Sequence, residues 1–372
     1  MQLSRIPFLI TALIFSLFIA CSHDKLPLPN VPDDEGFGNT GEEVYVQINP
    51  PLDAENGYSF NRPADIYLGA DNFLYVCDTG NDRIVMLDVG GQIQGISQPI
   101  PHPEAVTQND SLQLLIVNKT NAVFRIDLTN VSHDIASAPV EKVFEQSSKP
   151  SRQFTGISVY NGFEYYVTVV DVADSNTVFK EFSFVYDFNR NHTLKGPLPM
   201  NVNGTGLFSA IVPTGIVTLR ERWLDISTSG ERSPAFYFSH IGRTSQLEPN
   251  NFKVQHITTT IQQGEVVLIP NTGLIGEDLY RIDLRANIED VAIDRSGFLF
   301  VVDAGGSGTT PGFYRYSSLG KKLQSLTGEG SGESQFKAPK GIAVLPFLEQ
   351  QVVFVADTGN NRILRFKLST DL

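Results

Sequence analysis

The side chains best placed to do chemistry in this chain are carboxylates and amides, and the most regular of them recur in a six-residue motif. Asp-Thr-Gly-Asn-(Asp or Asn)-Arg occurs at 78–83 and again at 357–362. Asp78, Asn81 and Arg83, with their counterparts Asp357, Asn360 and Arg362, put an acceptor, an amide and a forked cation into one turn. Asp and Asn bond turn backbone, and an Arg fork pairs with a nearby carboxylate. The six side chains can therefore brace a loop or present a ligand site, and the structural reading is carried forward. A second set follows a proline, or the equivalent place, ahead of a short apolar strand. It comprises Ala64-Asp65, Glu104, Thr155, Thr214, Glu289-Asp290 and Lys340. Four of these are carboxylates, which at one point could take a hard cation through oxygen ligands or simply keep the surface acidic and hydrated. The hydrated reading is carried forward, with a divalent cation as its alternative.

Other catalytic constellations are thin. The histidines (23, 102, 133, 192, 240 and 256) show no metal-ligand spacing such as HxxxH. His102, in Pro-His-Pro-Glu, is the one to watch, and it reads as a loop residue. No GxSxG elbow appears, and the Gly-rich stretch at 304–312 lacks the Gly-Lys-Ser/Thr ending of a phosphate loop.

The elements that must position these residues are short strands in a repeat. Residues 63–88 and 339–367 share an apolar strand, a polar turn, a strand ending in Asp, the six-residue motif, and a third strand opening on Ile. Further copies begin at Pro103, Phe154, Pro213 and Ile288, the one at Pro213 being weak. Strands of five to seven residues with turn signals and no sustained 3.6-residue pattern indicate an all-β chain. A unit of roughly 40 residues is the signature of a propeller blade. The six starts predict six blades, with seven as the alternative. The wide interval after Pro213 holds two more strand-like runs, EVVLIP and DLYRIDL, which read as an added hairpin. The chain ends after the third strand of the last copy, so residues 44–48 (VYVQI) are expected to supply its outer strand and close the ring.

The strong copies, with their DTGN(D/N)R element, resemble the NHL repeat from about residue 43 to the end. That resemblance implies a propeller whose motif loops and post-proline positions surround one mouth of a central channel. Lyases similar to this repeat bind zinc through three histidines at such positions, and none of the six carries histidine here. Lactonase-type propellers, which the fold also resembles, use carboxylates and Asn around one divalent ion. Asp65, Glu104, Glu289 and Asp290 are the candidates that resemblance implies. Other NHL proteins bind RNA through a basic face. The formal charge of -13, from 28 basic and 41 acidic side chains, argues against a polyanionic partner.

The leader has its own signature. Arg5 is the only charge before an apolar run from Ile6 to Ala20, too short to span a bilayer as a helix and shaped like a secretory signal. Leu17-Phe18-Ile19-Ala20-Cys21 resembles the lipobox of bacterial lipoproteins, with Phe18 a departure from the usual Leu. The resemblance implies cleavage after Ala20, lipid on Cys21, and a charge of -14 on the remainder. Residues 21–42, rich in Pro, Gly and acid, then read as a tether. Cys77, the other cysteine, has no intrachain disulfide partner once Cys21 is acylated and reads as a small core residue. The organisation expected is a signal peptide over 1–20, a tether over 21–42 and a propeller over 43–372. The function expected is binding or scaffolding of an envelope protein, peptide or glycan, at the outer membrane with the disc facing the periplasm or the outside. The alternative is a metal-dependent hydrolase or lyase of lactonase type.

Overall fold

Strand-length apolar segments with both faces buried need a partner sheet on each side, and a ring of radial sheets supplies it. The computed structural model describes residues 43–173, 183–198, 211–219, 234–242, 252–262, 265–280, 287–306, 308–345 and 351–371. These form six four-stranded antiparallel sheets, the blades of a six-bladed propeller. Blade 1 holds β2 (Pro63–Leu68), β3 (Phe73–Asp78), β4 (Arg83–Asp88) and β5 (Ile93–Ile96). Blade 2 holds β6 (Ala105–Gln108), β7 (Gln113–Val117), β8 (Ala122–Asp127) and β9 (Val140–Glu145). Blade 3 holds β10 (Arg152–Tyr160), β11 (Glu164–Asp171), β12 (Ser183–Phe188) and β13 (Leu194–Pro197). Blade 4 holds β14 (Ile211–Thr218), β15 (Phe236–Gly242), β16 (Val254–Gln262) and β17 (Glu265–Pro270). Blade 5 holds β18 (Ile288–Ile293), β19 (Leu299–Asp303), β20 (Gly312–Tyr316) and β21 (Lys322–Thr327). Blade 6 holds β22 (Gly341–Val344), β23 (Val353–Asp357) and β24 (Arg362–Leu368), and its outer strand is β1 (Tyr45–Gln47) from the other end of the described chain.

Alternation along the middle strands sends side chains to two different cores. In β3, Leu74 and Val76 join Phe354 and Ala356 of blade 6, whereas Tyr75 and Cys77 join Val106, Leu114 and Ile116 of blade 2. The same arrangement recurs around the ring, so each neighbouring pair of blades encloses its own apolar cluster. Cys77 is fully buried in one of them, and burial pushes its thiol pKa well up.

The N-terminal strand closes the last blade, as expected from the sequence. Tyr45 opposes Leu368, Val46 opposes Lys367 and Gln47 opposes Phe366. The Tyr45 ring meets Phe313 edge-on at 5.0 Å, and its hydroxyl donates to Gln351 Oε1 at 3.2 Å. Gln351 Nε2 in turn donates to Asp294 Oδ2 of blade 5 at 2.6 Å.

Blade 4 departs from the sequence reading. EVVLIP is β17, that blade's own outer strand, and not half of an extra hairpin. Residues 278–280 of the second run form a 3-10 turn, and 281–286 lie outside the described residues. The WLDIST segment of the weak sixth copy lies there too, and the second strand is FYFSHIG. Phe236 pairs with both Thr218 and Ile257, so Thr258–Gln262 and Glu265–Ile269 continue as a hairpin beyond the end of β14.

Candidate functional site at the channel mouth

The innermost strand of a blade starts at one face of the disc, and in four blades its start is bulged. Pairing skips a residue between Pro63 and Asp65, Phe154 and Gly156, and Ile288 and Asp290, and a longer stretch between Pro213 and Ile216. A bulge re-aims the unpaired side chain, here toward the axis. Every post-proline position named above lines one central cavity of about 260 Å³, just below the range of small-molecule sites, which begins near about 300 Å³. The structure thus brings Asp65, Glu104, Thr155, Thr214, Glu289, Asp290 and Lys340 together. His102 stands outside it, with its side chain 74% exposed.

The lining has two levels of chemistry. Toward solvent is an ion-pair set. Lys119 Nζ pairs with Glu104, and Lys340 Nζ stands 3.7 Å from Glu104 Oε1 and 4.0 Å from Glu289 Oε2. Burial pushes the Glu289 carboxyl up, and the Lys340 charge partly opposes this. Deeper in, side chains stitch neighbouring blades. Asp65 Oδ1 accepts from Ile66 N at 2.7 Å and Oδ2 from Val106 N of blade 2 at 2.8 Å. Asp290 Oδ2 accepts from Ile342 N of blade 6 at 3.0 Å. Thr155 and Thr214 donate to the carbonyls of Pro213 and Ile288, each at 2.8 Å.

Only two of the six aligned positions carry a carboxylate at this depth. The aligned positions read Asp65, Ala105, Gly156, Gly215, Asp290 and Gly341. A Cβ at Gly341 would lie 2.6 Å from Asp65 Cα, and one at Gly215 would lie 2.3 Å from Asp290 Oδ1. The Asp290 carboxylate therefore occupies space that Gly215 on the neighbouring blade leaves open, whereas Gly341 lets the backbone of blade 6 approach the backbone at Asp65. Desolvation pushes Asp65 up to about 7 against the two N–H bonds it accepts. Desolvation, then the Asp65 charge, pushes Asp290 well up.

A pH prediction follows from this pair. Both groups hold protons in the folded protein at pH values where the unfolded chain, near 3.8, has released them. Folded protein then binds more protons than unfolded, so stability falls as pH rises above about 4, and the Asp65 part of the fall is complete once pH passes about 7. Melting temperature from pH 5 to pH 8 should fall less in the Asp65→Asn/Asp290→Asn double variant than in the wild type. The Asp65 contribution alone is on the order of a few kcal/mol. Parallel curves for the two proteins would remove the pair as the cause.

The motif loops surround the same mouth, and their polar groups are committed within the fold. Asp78 accepts from Asn61 N, Asn81 Nδ2 and Arg83 Nε at 2.7, 2.8 and 2.8 Å. Asp357 accepts from Lys337 N, Asn360 Nδ2 and Arg362 Nε at 2.7, 2.8 and 2.8 Å. Thr79 and Thr358 donate to the carbonyls of Pro103 and Pro63 in the next blade, at 2.6 and 2.7 Å. Sequence reasoning missed Lys119. Aligning Asn118-Lys119-Thr120-Asn121 on the motif puts Lys119 where Thr79 and Thr358 stand. A cation in a loop position otherwise used to bind the next blade was the available signal.

No family model matches the sequence, and no curated protein matches it. Solved structures match across the propeller. A gluconolactonase from Xanthomonas campestris is 12% identical, with 88% of this chain and 98% of that one covered at a TM-score of 0.53. A calcium-binding protein, regucalcin, from Agrobacterium tumefaciens is 11% identical, with 87% and 93% covered at 0.52. A luciferin-regenerating enzyme is 10% identical, with 87% and 95% covered at 0.56. At these identities the likeness is one of fold. Among the described residues, no group of three or more His, Cys, Asp and Glu side chains is arranged to hold a metal ion.

Proposed function

We propose that this chain is an envelope lipoprotein of NHL type, anchored through Cys21, whose propeller works as a binding module with the channel mouth as its ligand site. One observation carries the reading: the mouth carboxylates already have partners. Both Asp65 oxygens accept backbone N–H groups, and Lys119 and Lys340 stand against Glu104 and Glu289. Two lysines beside two glutamates offer paired donors and acceptors to a polar ligand carrying both signs of charge, such as a peptide or an amino sugar. The lipobox-like LFIAC and the Pro- and acid-rich stretch after it support display at the envelope, and Ser22 after Cys21, in place of the Asp that often retains lipoproteins at the inner membrane, favours the outer membrane.

The second reading, a metal-dependent hydrolase or lyase, is favoured by the gluconolactonase and regucalcin likenesses and by the gathering of four carboxylates in one cavity. The residues do not fit a resident divalent ion. Calcium takes about six to eight oxygen ligands, whereas here the Asp65 oxygens face N–H groups and a lysine ammonium stands between the two glutamates. Elemental analysis and a thermal-shift series on the chain from residue 22 decide between the readings. The expected result is no stoichiometric divalent ion and the same melting temperature in calcium and in chelator. A bound ion whose stabilising shift disappears in Glu104→Ala would overturn the binding-module reading.

A further inference from the structure

The face opposite the channel mouth carries the turns that join the first strand to the second and the third to the fourth. The described chain also begins on that face. Tyr45 is level with Leu368, where β24 ends, and Glu43 Oε2 accepts from Gln324 Nε2 of β21 at 3.4 Å. Whatever precedes residue 43 therefore joins the disc at this far rim, next to blade 5.

Exposed apolar side chains are concentrated there. Among the described residues eight large ones are exposed, and only Val172 lies toward the mouth. Leu319 occupies the turn between β20 and β21, and Leu323 follows at the start of β21. Ile275 lies in the segment that packs beneath that turn, where Leu279 N donates to Gly320 O at 2.9 Å. Ile261, like Leu319 74% exposed, is on the hairpin of blade 4 that overhangs the far rim. Val44 immediately precedes β1, and Val89 and Ile93 flank the last turn of blade 1. The arc runs through blades 4, 5, 6 and 1, with the start of the described chain within it, and among the described residues blades 2 and 3 contribute nothing to it. The side chains are spaced singly along turns and strand starts, with Lys321 and Lys322 exposed beside the two leucines. Singly spaced side chains of this kind offer no groove to a helix, and the lysines beside them suit a surface of anionic headgroups.

We propose that this far rim is a membrane-contacting face, so that the lipid-anchored disc lies against the bilayer with its channel mouth pointing away. The proposal rests on acylation of Cys21. Fully burying an exposed leucine is worth about 1.5–3 kcal/mol, so Leu319, 74% exposed, is worth roughly tenfold in partitioning and Leu323, 39% exposed, about three- to sevenfold.

The test uses the full chain in vesicles of phosphatidylethanolamine and phosphatidylglycerol containing a doxyl-labelled lipid. A thiol-reactive fluorophore is placed on Leu319→Cys at the far rim or on Thr310→Cys in a mouth loop. Cys21 is blocked by its lipid and Cys77 is buried, so labelling is directed. Quenching several-fold stronger at 319 than at 310 is expected. Equal quenching at the two sites, or a label at 319 shielded from water but untouched by doxyl lipid, overturns the proposal. The mass of the Cys21 peptide separates the two hypotheses. If it lacks lipid, anchoring fails, and the rim is judged on residues 43–372, which contain every strand of the ring. Vesicle binding of that fragment, lowered more than about tenfold in Leu319→Ser/Leu323→Ser with unchanged melting, then supports the rim. No binding of the fragment overturns it.

Discussion

A chain beginning at residue 51 is expected to lose its cooperative thermal transition, or to melt roughly 10 °C or more below the chain beginning at residue 43 while self-associating. Residues 43–50 carry the three pairings of β1 to β24 and the Ile48 N to Arg365 O bond at 2.7 Å. They also carry Tyr45, which is 5% exposed and belongs to the core between blades 5 and 6. Truncating a buried aromatic costs about 3–5 kcal/mol, and each lost hydrogen bond adds roughly 1. Against a total stability of about 5–15 kcal/mol this is a large share. The deletion also strips the outer edge of β24 and leaves Phe366 and Leu364 beneath an unpaired strand edge, a template for pairing with another chain. Differential scanning calorimetry with light scattering checks both effects. A monomer with unchanged melting would show that β1 is decoration on a ring closed by other contacts.

The closing strand was legible because two local facts met. The last repeat lacked its fourth strand, and a strand-like VYVQI lay unused ahead of the first repeat. Blade 4 was less so. EVVLIP is recognisable as a strand from its residues, but which sheet it completes depends on pairing with VQHITTTIQ, whose Thr-rich polar pattern hides a strand. The overhang of that hairpin is a matter of register, and register is fixed between strands and not within them.

At the site, repeat alignment was enough to collect the cavity lining, because equivalent positions in a ring converge on its axis. Partnership was not legible. That Asp65 spends both oxygens on N–H groups depends on how closely blade 2 approaches, and that Asp290 fits at all depends on Gly215. Reading the four carboxylates as a hydrated acidic lining, with a divalent cation as the alternative, overlooked this, because type and spacing do not report which acceptors the backbone has already claimed. Lys119 changes the site's character from acidic to mixed. It was passed over because the second copy departs from the motif at the very residue that matters.

The two copies of the motif are near-identical in sequence, yet they are expected to respond unequally to the same substitution. Asp357→Ala should destabilise by about 3–5 kcal/mol, the range for leaving a buried charge without its partner. Asp78→Ala should cost roughly half that. Both aspartates are fully buried, but the Arg362 side chain is 8% exposed and that of Arg83 is 23% exposed. With Asp78 gone, Arg83 can reach water beside Ser59. Arg362 is held by the carbonyls of Ser331, Gly332 and Gln335, at 2.8, 3.2 and 2.8 Å, and would remain as an enclosed cation with neutral acceptors only. Urea melts of the two alanine variants check the ordering. Adding Arg362→Met to Asp357→Ala should restore part of the loss, because removing both charges removes the enclosed-cation penalty. Equal losses in the two copies would mean that the shared bonds to Asn61 N and Lys337 N, and not the arginines, set the cost. The consequence reaches the cavity, since Lys337 leads into Lys340 in three residues. Asp357→Ala should therefore weaken any ligand that depends on the Lys340–Glu104–Glu289 set, whereas Asp78→Ala should weaken it less.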